Sequence, residues 1–196
     1  MSRKNSETRN RILNASLSLL EQSQGKGVRM GDIAKQSGIS RQALYLHFPT
    51  RAELLIETTR YLDEIKGTDQ RLHASRTAAS GLERLNSYVQ AWGNYIPIVY
   101  GVAKALLSMK DTDEAAAKAW DNRMLAMREG CKAAIQALHQ DGRLSSEYSM
   151  EEATDILWTL LSIRNWEQWT IDCGWSQKKY ITNIKLLSQK VLVDEN

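Results

Sequence analysis

Arg41, Gln42, Tyr45 and His47 fall within seven consecutive residues of the stretch VRMGDIAKQSGISRQALYLHF, residues 28–48. Their chemistry is that of nucleic-acid recognition. An arginine fork matches the two acceptors on the major-groove edge of guanine, and a glutamine amide matches the donor and acceptor of adenine. A tyrosine hydroxyl and an imidazole suit phosphate oxygens, which fix register rather than sequence. Ala43 stands between them and is small enough to let a helix approach a base closely or touch a thymine methyl.

Such side chains work only if one short helix presents them together. Met30, Ile33 and Ala34 recur at helical spacing and give a first helix an apolar face. Ser37-Gly38 breaks that pattern, and Gly38 suits the left-handed backbone that ends a helix. Ser40 is a natural N-cap for the next helix, and Leu44 and Phe48 give that helix a buried stripe. A small residue at the contact, a glycine in the turn and an apolar pin beyond it make a helix-turn-helix. Tyr45 also has a plain alternative role as a packing residue whose hydroxyl stays at the surface.

Residues 7–55, ETRNRILNASLSLLEQSQGKGVRMGDIAKQSGISRQALYLHFPTRAELL, resemble the DNA-binding domain of the TetR family of bacterial transcriptional regulators. The resemblance covers about a quarter of the chain. It is carried in register by TRxRIL, DIA, GIS, LYxHF and a following basic residue with a Leu-Leu pair. It implies that Ser40, Tyr45 and His47 hold phosphates. It also places Arg51 where family members commonly set a lysine against phosphate. Arg29 replaces a threonine that would cap the second helix, so the cap is missing while the longer side chain can still reach a phosphate. The resemblance further implies a homodimer on a palindromic double-stranded DNA operator, and a second domain that binds a small-molecule inducer. The expected function is a ligand-released repressor. An activator, or a DNA-binding protein of the same fold governed by a protein partner, stays open beside it.

The whole chain has 196 residues and a net charge of +3. Residues 1–51 hold nine Lys or Arg and three acids, whereas the remainder holds seventeen and twenty. Positive charge gathered around the helix-turn-helix is what a polyanion requires. Only two prolines, with abundant Ala, Leu, Gln, Glu and Lys, favour helix throughout. No apolar run is long enough to span a bilayer, and the first residues lack a signal-peptide core, so a cytoplasmic protein without membrane contact is expected. Cys131 and Cys173 fit no metal or redox spacing and read as free thiols. No HExxH, glycine-rich phosphate loop or Gly-x-Ser-x-Gly is present, so neither an enzyme nor a cofactor or metal is expected.

The pattern predicts an all-α fold of about nine helices. A three-helix DNA-binding domain occupies residues 1–50, and a helical ligand-binding and dimerisation domain occupies residues 51–196. Residues 1–6 read as frayed, with Arg3 and Lys4 available to lie across DNA. Helices are expected over about residues 7–22, then from Thr50 to Gly67, with residues 68–79 irregular or weakly helical. Capping signals at Ser80, Ser149 and Ser176 open later helices. Pro97 is expected to interrupt one helix, and the helix begun at Ser149 is expected to run to about Cys173.

All six tryptophans lie in the second part of the chain. They serve either as core or as the wall of a ligand chamber. Trp92, Tyr95, Tyr100, Trp120, Met124 and Trp158 are the candidates for such a wall, which would admit planar apolar, cationic or aromatic-acid ligands. Ile156, Leu160, Ile163, Tyr180, Ile184, Leu187 and Val191 form continuous apolar faces on the last two helices, as a four-helix dimer interface would need.

Overall fold

The computed structural model describes residues 3–23 and 27–194, the side chains of residues 3 and 4 excepted. Ten α-helical segments follow one another: α1 Arg3–Gln22, α2 Met30–Ser37, α3 Arg41–His47, α4 Arg51–Ile65, α5 Thr68–Arg76, α6 Gly81–Met109, α7 Glu114–Gln140, α8 Met150–Leu160, α9 Ile163–Glu167 and α10 Gln177–Leu192. A π-helical turn, Gln168–Asp172, continues α9. The count is nine if α8 and α9 are taken as one interrupted helix. Among the described residues the only extended pairing is an isolated antiparallel bridge between Leu144 and Val193.

The chain divides into two compact units. The first comprises Met1–Lys66 and Val99–Met124, and the second Gly67–Ile98 and Leu125–Asn196. The core of the first unit joins the apolar face of α1 (Ile12, Leu13, Leu17, Leu20) to Ile33 and Ala34 of α2, Leu44 of α3 and Leu54 and Leu55 of α4. Val102, Leu106 and Met109 of α6 and Ala116 and Ala119 of α7 complete it. Three ion pairs tie this unit's elements: Arg9 with Glu57 at 2.6 Å, Arg51 with Asp113 at 2.6 Å, and Arg123 with Asp63. Asp113 also caps α7, accepting from the backbone N–H groups of Ala115 at 3.0 Å and Ala116 at 3.2 Å.

The second unit packs α6, α7, α8 and α10 through Leu85, Val89, Ile96, Ile135, Leu138, Leu157 and Ile184. Tyr88 donates to the carbonyl of Met127 at 3.0 Å, and its phenol lies over the buried thiol of Cys131. Trp175 stacks at 4.7 Å on Trp169, which meets Tyr180 edge-on.

Four expectations are corrected. The first helix begins at Arg3 rather than near residue 7, so only Met1 and Ser2 of the expected frayed arm lie outside the described residues. Residues 24–26 of the loop after α1 also lie outside them. Residues 68–76 form a helix, begun by Gly67 at φ 66° and tied by an Asp69–Arg76 ion pair.

Pro97 does not interrupt α6, which runs unbroken through it. Proline withholds the N–H that would reach the carbonyl of Gly93, four residues back. That carbonyl is instead satisfied by the side-chain amide of Gln177, at 2.5 Å. A long-range donor thus supplies what the ring removes.

The helix opened by Ser149 stops at Leu160 instead of reaching Cys173. Ser162 turns extended (φ −60°, ψ 146°) and accepts from the N–H of Asn165, starting α9 afresh. The amide of Asn165 in turn donates to the carbonyl of Thr159 at 2.6 Å, covering an end of α8. Serine competes well with the helix backbone in this way, which is why it favours caps over interiors.

Candidate nucleic-acid interface

The turn between α2 and α3 is built as its sequence demands. Gly38 takes φ 68°, ψ 36°, and its N–H caps the carbonyls of Ala34 and Lys35. Ser40 is extended and accepts from the N–H of Ala43 at 3.1 Å, which starts α3. Leu44 is fully buried and Phe48 nearly so. The guanidinium of Arg9 lies 5.0 Å over the Phe48 ring, holding α1 against this corner. One side of α3 is therefore anchored, and its other side is left to solvent.

Arg41 and Gln42 are exposed on that free side, with Ser40 beside them. Among the described residues, no side-chain hydrogen bond or ion pair engages Arg41 or Gln42. Tyr45 is 41% exposed, His47 is half-buried, and Ala43 is half-buried. Tyr45 is thus not fully buried, and both its contact role and its packing role stay open. Leu46, passed over by the motif reading, is 87% exposed. Helical geometry held the signal: at ~100° per residue, Gln42 and Leu46 each point about 160° away from Leu44 and lie side by side.

The two flanking arginines differ. Arg29 is exposed at the start of α2, extended, and caps nothing with its side chain. The threonine cap is indeed absent there. Arg51 turns inward. Its Nε donates to the carbonyl of Val28 at 2.6 Å, and its Nη1 to both oxygens of Asp113 at 2.6–2.7 Å. Partial burial would raise the pKa of Asp113, but hydrogen bonds from Arg51, Ala116 and Ala115 outweigh it and leave the carboxyl below its ordinary value. Arg51 thus ties the strand before α2 to the cap of α7.

The six candidates for a ligand wall fall three to each unit. Trp92, Tyr95 and Trp158 belong to the second. Trp92 donates from Nε1 to the carbonyl of Leu161 at 2.7 Å and meets Tyr95 edge-on at 6.0 Å. Tyr95 is buried, with the Arg71 guanidinium 3.4 Å above its ring. Trp158 is half-buried on α8. Tyr100, Trp120 and Met124 belong to the first unit. Lys104 donates to the Tyr100 hydroxyl at 2.8 Å, and Trp120 packs on the first unit's core. The second unit also bears an open cleft of about 560 Å³ whose walls include Arg71, Asn86, Gln90 and Lys185, and none of the six candidates.

Residues 12–58 match the family model described as bacterial regulatory proteins, tetR family. Over 64 residues the chain is 38% identical to the nucleoid occlusion factor SlmA of Marinomonas sp. (strain MWYL1), a match spanning 33% of this chain and 32% of that protein. It is 26% identical over 168 residues to the HTH-type transcriptional regulator CymR of Pseudomonas putida, covering 80% of this chain and 75% of that one. Among solved structures it resembles a protein from Saccharomonospora viridis, assigned as a transcriptional regulator and crystallised with choline. The TM-score is 0.74 and the identity 19%, over 97% of this chain and 100% of that one, a likeness of fold. The family match falls on the segment whose helix-turn-helix leaves Arg41 and Gln42 exposed, and with the match to CymR it supports a DNA-binding transcriptional regulator of the TetR type.

Proposed function

We propose that this regulator is a repressor that binds a palindromic operator as a homodimer and leaves it when a small molecule binds. The observation that carries the reading is α3, where Gln42 stands exposed opposite a fully buried Leu44 and Arg41 is exposed in the first turn. In this reading Arg41 and Gln42 read bases, with Ala43 letting the helix approach closely. Ser40, Tyr45, His47 and Arg29 hold phosphates, and Arg51 supports them from within through Val28. One such helix reads few base pairs, so two must enter successive major grooves, ~34 Å apart.

Residues 1–50 serve as the DNA-binding part and residues 51–196 as the ligand-binding and dimerisation part. Ile156, Leu160, Leu187 and Val191 stay half-buried within one chain and offer apolar surface to a second copy. The inducer is aromatic, apolar or cationic, and the candidates for its wall are Trp92, Tyr95 and Trp158 in the second unit and Tyr100, Trp120 and Met124 in the first. The choline complex of the Saccharomonospora protein lends support to a cationic ligand. The protein acts in the cytoplasm and catalyses no reaction. Among the described residues no helix is long and apolar enough to cross a membrane.

The test is selection of bound sequences from random DNA, followed by release with a metabolite panel. A two-fold symmetric site, sedimentation as a dimer and release by one compound are the expected results. Sedimentation as a monomer at micromolar concentration would overturn the dimer, and release by no compound would favour control by a protein partner.

A further inference from the structure

We propose that Leu46 reads the C5-methyl group of a thymine in the major groove and so sets part of the operator's sequence preference. Leu46 is 87% exposed on a seven-residue helix whose other leucine, Leu44, is wholly buried. Single exposed leucines are ordinary on protein surfaces. This one is distinguished by its neighbours. It lies one turn beyond Gln42 on the same line of the helix, so a groove deep enough to meet the Gln42 amide also meets Leu46. Tyr45, adjacent, is 41% exposed.

Of the four bases, thymine alone presents an apolar group in the major groove, and apolar side chains recognise it by contact. Ala43 is the weaker reader of that methyl. Its side chain is half-buried, about 100° from Leu44, and its N–H is engaged with Ser40. A leucine isobutyl reaches farther from the helix axis than an alanine methyl does.

The inference rests on α3 lying in a major groove, and the test separates the two. The operator selected from random DNA is remade with each thymine replaced singly by deoxyuridine, which lacks only the methyl. Affinity is read by fluorescence anisotropy for the wild type, Leu46→Ala, Leu46→Gln and Leu46→Met. The wild type is expected to lose about fourfold at one thymine of each half-site, the effect of burying one methyl. Leu46→Ala and Leu46→Gln are expected to show no loss at that position, and Leu46→Met to retain it. Melting temperatures should match, since the side chain touches no core. Equal wild-type affinity for every deoxyuridine substitution overturns the proposal. So does a methyl effect that persists in Leu46→Ala, which would transfer the contact to Ala43. A change of sedimentation in Leu46→Ala would make the residue an assembly contact instead. Absence of any DNA binding by the wild type would strike the major-groove reading itself.

Discussion

The two units put their polar side chains to different uses, although the second also holds an arginine–carboxylate cluster, Arg128 with Glu151 and Asp155. In the second, indoles and amides turn inward: Trp92 bonds the Leu161 carbonyl, Trp166 bonds Gln177, and Gln177 bonds the carbonyl that Pro97 leaves open. Gln189 bonds Asn86 and Lys185 bonds Gln90 in the same manner, helix to helix. In the first unit arginine–carboxylate clamps join the elements, with Thr58–Ser16 and Asn14–Tyr61 hydrogen bonds beside them, and all of these stop short of the outer face of α3. There Arg41 and Gln42 face solvent. A polar group bonded inside its own fold stabilises that fold, whereas one held out on an anchored helix remains available to an outside partner. The difference separates residues whose loss should cost stability from residues whose loss should cost affinity.

The strongest way to break the comparison is Gly81→Ala in the second unit. An added Cβ would lie 2.5 Å from the backbone nitrogen of Leu138 and 2.6 Å from the carbonyl of Ala137. Backbone cannot swing aside, so a loss of about 3 kcal/mol is expected in urea unfolding. The folded fraction should keep wild-type affinity for DNA, and a large loss of affinity at equal folded concentration would contradict the separation. Arg41→Ala is the converse. It should cost about 1–3 kcal/mol on the selected operator and relax base preference, with melting unchanged. Equal weakening on all sequences would remove Arg41 from base reading.

Arg51 sharpens the comparison because it lies next to the interface yet bonds inward. Arg51→Met should lower stability by about 1.5 kcal/mol, since Asp113 and the Val28 carbonyl lose their donor. The salt dependence of DNA binding should keep its slope. A slope reduced by about one would place Arg51 on a phosphate instead.

The smallest effect is the response to acid. Burial would raise the carboxyls of Asp113 and Glu57, but their bonds to Arg51, and to Arg9 and Arg60, bring both below their ordinary values. A carboxyl depressed in the folded state stabilises fully above its unfolded pKa, and that contribution fades as the pH falls through the folded value. Thermal melts from pH 6 downward should therefore lose stability below about pH 4. Asp113→Asn should show a shallower decline there than the wild type, and an identical acid limb would discount the Arg51 clamp.

What could be read from the chain was local. Gly38, Ser40, Leu44 and Phe48 announce the helix-turn-helix because each acts within four residues of its partner. Thr50 does the same for α4, accepting from the N–H of Glu53 at 3.1 Å. Misreadings arose where the partner is distant. Pro97 signals a break until Gln177, eighty residues on, supplies the missing donor. Arg51 resembles a phosphate ligand until Asp113 is seen beside it. Ser162 looks like any helical serine because its capping depends on a backbone turn that no neighbouring residue forces. Leu46 was legible by helical angle, and was missed because Ala43 was the one apolar residue of α3 weighed as a reader.

The two cysteines give the molecule a ready-made reporter. Burial pushes the Cys131 thiol up to about 12, against the lowering effect of the Tyr88 hydrogen bond, so near neutral pH it carries almost no thiolate. Cys173 is exposed, at the end of the π-helical turn before α10. A maleimide dye should therefore attach once per native chain with no cysteine removed, at a position in the second unit. Fluorescence from that single label can report assembly and ligand response while the DNA-reading helix keeps its natural residues.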